Sequence, residues 1–264
     1  MNAPPTPARL LDCAVTAALA AGAHARAHRG RRSEVNASYA HDLKLQLDVE
    51  CQQVAEASIL QCFPNHAILG EEGSAPDASA EFEWVIDPID GTLNFFHGLP
   101  HWCSSVAVRR GDGPILAGCV FLPDLDECFA AAEGLPATLN GEPIRVSATA
   151  RLSEAMLLTG LGKPAPGEAY DLSLLGRLAN TAQKTRVLGA AAVDICYVAC
   201  GRVDAYVDAG ICLWDYAGAE IITRQAGGRA GEIGRLSGGR VRYLASNGVI
   251  HDEVLKLYLG PTAP

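Results

Sequence analysis

Residues 84–95 read WVIDPIDGTLNF, an apolar run that breaks into two aspartates three positions apart, then a glycine and a hydroxylic residue. In an uninterrupted strand Asp87 and Asp90 would point to opposite faces. Pro88 supplies no N–H and stiffens the backbone, so the sequence predicts a turn that lets the two carboxylates converge. Gly91 permits close backbone approach, and the N–H groups of Thr92 and Leu93 begin a helix that can cradle an anion. Alone, this stretch also reads as an Asp-rich turn whose carboxylates bond their own backbone.

Two further acidic elements count against that plainer reading. Gly70-Glu71-Glu72-Gly73 follows the short apolar run Ala67 to Leu69, and Trp214-Asp215 follows an apolar segment ahead of Ala217-Gly218-Ala219. Glu71, Asp87, Asp90 and Asp215 suit a hard divalent cation, because Mg²⁺ takes oxygen ligands from a few carboxylates and leaves positions open for water and phosphate. A phosphate dianion about 4 Å from one carboxylate is repelled by about 4 kcal/mol per charge pair at an effective dielectric of about 20. An acidic cluster therefore handles such a substrate only with cations, which reverse the local sign and activate water.

The chain of 264 residues, 49% hydrophobic, suffices for one large domain or two closely joined ones, and excludes disordered and fibrous classes. A formal net charge of -9 without a basic block speaks against direct nucleic-acid binding. The nine cysteines form no CxxC pair and mostly have apolar neighbours, which points to small buried residues of a reduced, cytoplasmic protein. Leu10 to Ala27 is alanine-rich, yet Asp12 interrupts it and Leu11, Ala14, Ala18 and Gly22 share a helical face. It is expected to be an amphipathic helix and not a leader, and no run has the length of a membrane span.

A basic loop is expected at Arg29 to Ser33 and a helix from Asp48 to Cys62, with Asp48 also suited to a helix cap. Short strands are expected at Ala67–Leu69, Trp84–Ile86, Ser104–Val108 and Ile115–Phe121, and a hairpin turn at Asn140-Gly141. Beyond it, a strand at Ala155 to Leu161, a helix at Tyr170 to Thr181 and a strand at Arg186 to Leu188 suggest a second α/β unit. The division is placed at residues 1–147 and 148–264, with a soft boundary near Ser147 to Ser153 inside one catalytic unit.

GEE, WVIDPIDGTLNF and LWDYAGAEIITRQAGG together resemble the inositol monophosphatase family. Leu139-Asn140-Gly141 and LGAAAVDICYVACGRVDAYVD at residues 188–208 extend the likeness over nearly the whole chain. The resemblance implies an α/β fold, a layered α/β/α/β/α sandwich, and a lithium-sensitive, magnesium-dependent hydrolase that commonly forms homodimers. It implies two or three Mg²⁺ ions: Glu71, Asp87 and the Ile89 carbonyl at one, Asp87, Asp90 and Asp215 at a second, Glu71 and Asp48 at a weaker third. Thr92, paired with Glu71, is expected to orient the attacking water in a direct in-line hydrolysis. Phosphate is expected against the backbone of Gly91 and Thr92.

By the same resemblance Gly189, Ala190 and Asp208 face the leaving alcohol. Family members that use inositol phosphates often carry a hydroxylic residue at position 190 and a glutamate at 208; Ala190 offers no hydrogen bond, and Asp208 is one methylene shorter. Lys44 stands where a small or hydroxylic residue is expected ahead of Asp48, which bears on the third ion. His97 and His101 are read as solvated loop residues, and Trp84, Trp102 and Trp214 as packing anchors. The expected substrate is inositol 1-phosphate or a similar polyol or sugar phosphate. Histidinol phosphate is the enzymatic rival, with fructose bisphosphate and nucleotide 3'-phosphates further off. A regulatory binding protein on the same fold is the reading from another class.

Overall fold

A computed structural model describes residues 4–39, 42–75, 80–161 and 172–260. The chain begins with α1 (Pro7–Ala27), β1 (Val35–Tyr39), β2 (Asp42–Leu45), α2 (Gln46–Cys62), β3 (Ala67–Gly70), β4 (Gly73–Ala75), β5 (Phe82–Asp90) and α3 (Thr92–His97). It continues through β6 (Cys103–Arg110), β7 (Ile115–Leu122), β8 (Glu127–Ala132), β9 (Thr138–Leu139), β10 (Glu142–Pro143), β11 (Met156–Thr159), α4 (Ser173–Thr181) and β12 (Lys184–Arg186). The last elements are α5 (Ala191–Ala199), β13 (Ala205–Ile211), α6 (Leu213–Gln225), β14 (Arg229–Arg235), β15 (Val241–Ser246) and α7 (His251–Leu259).

Among the described residues β3 to β10 form an eight-stranded sheet in the order β10-β9-β8-β7-β6-β5-β3-β4, and a five-stranded sheet runs β12-β11-β13-β15-β14. The first is antiparallel except where β3 lies parallel to β5; in the second, β11 lies parallel to both β12 and β13. Helices α1 and α2 cover one face of the large sheet, α5 and α6 lie between the sheets, and α4 and α7 cover the far face of the small one. This is the five-layer α/β sandwich expected. The central apolar cluster includes Val85 and Phe129 from the large sheet and Tyr206 and Tyr243 from the small one, so the two halves share a core.

Small residues set the layer spacing. The buried face of α1 is largely alanine, and a methyl group on Gly22 would sit 2.6 Å from Phe121 and 2.8 Å from Pro123. Between the sheets, a Cβ on Gly118 of β7 would lie 2.7 Å from the carbonyl of Gly218 on α6, and a Cβ on Gly218 would lie 2.6 Å from Ser105 Oγ. That close approach brings the first turn of α6, with Asp215, over the end of β5. Overpacked contacts of this kind typically cost about 1–3 kcal/mol.

Several local expectations change. The β1–β2 pair was not anticipated, and Arg29–Arg31 forms a turn of 3₁₀ helix instead of plain loop. The second helix starts two residues before Asp48. Tyr170, the expected start of another helix, lies outside the described residues; the helix is described from Ser173. Asn140 and Gly141 have φ of 51° and 85°, the doubly positive pair of the expected hairpin turn. All nine cysteines carry free thiols.

Candidate active site

The two aspartates of residues 84–95 are brought together by a β-bulge, not by a turn that ends the strand. β5 runs through Asp90, with Asp87 opposite Ser105 and Asp90 opposite Cys103, so three steps on one strand match two on the other. The extra residue cancels the alternation that would have separated the side chains. The Pro88 carbonyl accepts the Ser104 hydroxyl at 2.6 Å. Gly91 follows at φ 85°, where a Cβ would meet the His101 carbonyl at 2.9 Å and Ala190 Cβ at 3.0 Å. Glycine is required there on both counts.

Four acidic groups surround the Asp87 carboxylate. Glu71 closes β3, its N–H bonded to the Ile86 carbonyl at 3.1 Å. Asp90 reaches across to the second half and accepts the N–H groups of Ala191 (3.2 Å) and Ala192 (2.8 Å), the first turn of α5. Asp215 Oδ2 accepts the Cys212 N–H at 2.7 Å, and Asp48 Oδ2 accepts that of Leu45 at 2.8 Å. Both serve helix N-termini, so the cap expected of Asp48 is present. Asp87 Oδ1 and Asp48 Oδ1 are buried with no hydrogen-bond partner.

Burial, followed by the charges of Glu71, Asp90, Asp215 and Asp48, raises the Asp87 carboxyl well above the usual range. Burial lifts Asp90 to about 7 against the pull of its two N–H donors, and lifts Asp48 to about 8. Glu71, Asp87, Ile89, Asp90, Gly91, Thr92, Gly189, Ala190, Asp208 and Asp215 line one cleft of about 450 Å³. Asp48 is 2% exposed and lies outside that lining.

Among the described residues no three His, Cys, Asp or Glu side chains form a ready-made cage for one ion. Asp48, Asp90 and Asp215 each hold backbone N–H groups as well. What remains is hard oxygen donors, two of them orphaned, around an Asp87 carboxylate on which every neighbouring charge named above is negative. Such a donor set fits Mg²⁺ and gives a cation the charge complement that the protein itself leaves out.

Two expected roles meet a different arrangement. The Thr92 hydroxyl donates to the Ile89 carbonyl at 3.0 Å and not to Glu71, because the first turn of α3 folds it back over the bulge. The carbonyl expected to face a metal is thus the acceptor of that bond. Asp208 lines the cleft but is 4% exposed, and its oxygens accept the Tyr206 hydroxyl (2.9 Å) and the Gly210 N–H (2.7 Å). It braces the bend of β13 rather than presenting an open carboxylate, and Gly160 packs directly against it.

Lys44 also lines the cleft, with Nζ 3.1 Å from both Glu72 oxygens. Trp84 and Trp102 are buried anchors, whereas Trp214, partly buried against the central cluster, also forms cleft wall. His97 is exposed but lies in α3, not in a loop; His101 is half-buried, and neither is in the lining.

Three contributors were not assigned to the site from the sequence. Asn94 donates to the carbonyls of His101 (2.7 Å) and Leu188 (2.8 Å), tying α3 to the Gly189 turn of the other half. Arg240 donates to the Gly210 carbonyl at 3.2 and 3.0 Å and forms far wall. Asp194 lies in the wall on α5; its signal was a lone carboxylate among Ala192, Val193, Ile195 and Cys196.

The profile of the inositol monophosphatase family matches residues 7–259, and the chain belongs to that family. An inositol-1-monophosphatase of Synechocystis is 38% identical over 256 residues, covering 92% of this chain and 86% of the relative. The Nus factor SuhB of Xylella fastidiosa is 38% identical over 188 residues, 71% of this chain and 68% of its own. The solved inositol monophosphatase of Anabaena superposes with a TM-score of 0.83 at 34% identity, covering 94% of each chain. The family implies divalent-metal use and a phosphate-ester substrate. Among the described residues no helix is long and apolar enough to cross a membrane.

Proposed function

We propose that this chain is a magnesium-dependent phosphomonoesterase acting on inositol monophosphate or a similar polyol or sugar phosphate. The observation that carries the reading is Asp87: a buried, partly orphaned carboxylate ringed by Glu71, Asp90, Asp215 and Asp48. That arrangement costs stability in the empty protein and has a purpose once cations complete it.

Glu71, Asp87 and the Ile89 carbonyl would hold one Mg²⁺, Asp87, Asp90 and Asp215 a second, and Glu71 with Asp48 a third. Bound there, magnesium supplies positive charge for the phosphate and makes water a competent nucleophile near neutral pH. Glu71 and Thr92 orient the attacking water and take up its proton, with Thr92 turning from the Ile89 carbonyl to do so. Gly91, bare of a side chain, leaves room for the phosphate against its own backbone and that of Thr92. Asp90 ties this reacting end to the helix behind Ala190. Gly189, Ala190 and the Asp208 region meet the leaving alcohol, and the short side chain of Ala190 favours a polyol that finds its hydrogen bonds elsewhere. The protein is proposed to work in the cytoplasm as a homodimer.

The SuhB relatives named as Nus factors support a second reading, a regulatory binding protein on this fold; a histidinol-phosphate phosphatase is the enzymatic alternative. Phosphate release measured over a panel of esters, with Mg²⁺ and with or without Li⁺, tests all three. Fastest release from inositol 1-phosphate, inhibited by Li⁺, is expected. Preference for histidinol phosphate supports the rival enzyme, and no release from any ester supports the scaffold.

A further inference from the structure

Asp194 has no role in the chemistry above, and the first turn of α5, whose dipole favours a carboxylate, is the one structural reason for an aspartate there. It is 1% exposed on the first turns of α5, flanked by the buried apolar residues Val193, Ile195 and Cys196. Its Oδ1 is sealed from solvent with no hydrogen-bond partner, Oδ2 accepts no hydrogen bond from a described residue, and among those residues the side chain joins no ion pair. The charges that act on it are Asp90 and Asp208, both of its own sign. A buried carboxyl group without a partner costs free energy that leucine at the same position would largely avoid.

The residue is also part of the cleft wall. It lies near enough to feel the charges of both Asp90, which belongs to the reacting end, and Asp208, whose oxygens are occupied by Tyr206 and Gly210. Asp208 is thus poorly placed to take a hydroxyl of the leaving alcohol, and Ala190 cannot. Among the described residues in this part of the wall, Asp194 is the carboxyl group whose oxygens accept no hydrogen bond, whereas both oxygens of Asp208 accept one.

We propose that Asp194 is a specificity-determining residue that hydrogen-bonds, through Oδ2 and not the sealed Oδ1, a hydroxyl group of a polyol phosphate in the cleft. The inference rests on the phosphatase reading and adds to it the group that selects hydroxylated leaving alcohols. Substrate binding then completes a hydrogen bond that the empty protein lacks, so the cost carried by the free fold is recovered only with a hydroxyl-bearing ester.

The test compares Asp194→Leu and Asp194→Asn with wild type on two esters, inositol 1-phosphate and 4-nitrophenyl phosphate, which has no hydroxyl on its leaving group. Asp194→Leu is expected to lower the ratio of kcat/KM for the inositol ester to that for the nitrophenyl ester at least tenfold. The loss should fall in KM, with kcat changed less than about threefold, and the Tm of the ligand-free protein should stay level or rise. Asp194→Asn, which keeps hydrogen-bonding capacity, should restore most of the ratio. A ratio unchanged in Asp194→Leu overturns the inference while leaving the phosphatase reading intact, whether or not stability moves. A wild-type chain that cleaves neither ester overturns the phosphatase reading, and the inference with it.

Discussion

The two ends of the cleft are both acidic, yet they are finished differently. At the reacting end Asp87, with four negative neighbours, keeps a buried oxygen without a partner, as does one of those neighbours, Asp48, outside the lining. At the other end Asp208 accepts a tyrosine hydroxyl and a backbone N–H, with Arg240 close enough to oppose the effect of burial on its carboxyl. The second aspartate is satisfied by the fold. The first is left for something that the fold does not contain, and its unfavourable electrostatics are the physical mark of a binding site.

That contrast breaks most sharply on Asp87→Asn. Turnover should fall by roughly a hundredfold or more, since even the outer partners of metal ligands act on that scale. In EDTA the same variant should melt higher than wild type, because a buried charge surrounded by like charges has been removed. Lost activity with lowered stability would instead make Asp87 a structural residue.

The pH dependence gives the next largest effect. Asp90 and Asp48 have folded-state pKa values of about 7 and about 8 against 3.8, so the folded protein binds more protons than the unfolded chain between about pH 4 and 8. Stability in EDTA must then decrease as pH rises through that window, and be lowest above about 8. Thermal melts from pH 5 to 8 should show Tm falling by about 5 °C or more, a scale set by about 2–4 °C per kcal/mol for chains of 150–250 residues. Added Mg²⁺ should raise Tm more at pH 8 than at pH 5.

Asp208→Asn is the counterpart of Asp87→Asn and should move stability in the other direction. Loss of one of its two hydrogen bonds is expected to cost about 1–3 kcal/mol in denaturant unfolding, with Mg²⁺ binding unchanged. The smallest effect is expected from Ala190→Ser, which puts a hydroxyl at the Gly91 contact. A single neutral hydrogen bond is worth about 1 kcal/mol, so KM for inositol 1-phosphate should fall by about fivefold at most. No change would remove position 190 from alcohol recognition.

The acidic residues were legible because their signal is local and repeated, an apolar run ending in carboxylate met three times, whereas the layered fold was legible only through the resemblance of whole motifs to a family. The bulge was not, because it exists only in the pairing of Asp87 with Ser105 and Asp90 with Cys103, two strands whose register no single segment states. For the same reason the sequence did not reveal that Asn94 bonds the Leu188 carbonyl, or that Asp208 is consumed by Tyr206 and Gly210. Thr92 shows a smaller limit: residue type marked it as a hydroxyl at the site, while the carbonyl it bonds depends on the shape of the bulge. The β1–β2 pair does alternate, as VNASY and DLKL, but runs of five and four residues are too short for periodicity to single them out.

Calorimetric titration of Mg²⁺ into wild type and Asp87→Asn at pH 8 tests the central claim most directly. Wild type should bind at least two ions per chain, and the variant should lose at least one site while remaining folded. Equal binding by the two proteins, or none by wild type, would contradict the assignment of the acidic end as a magnesium site.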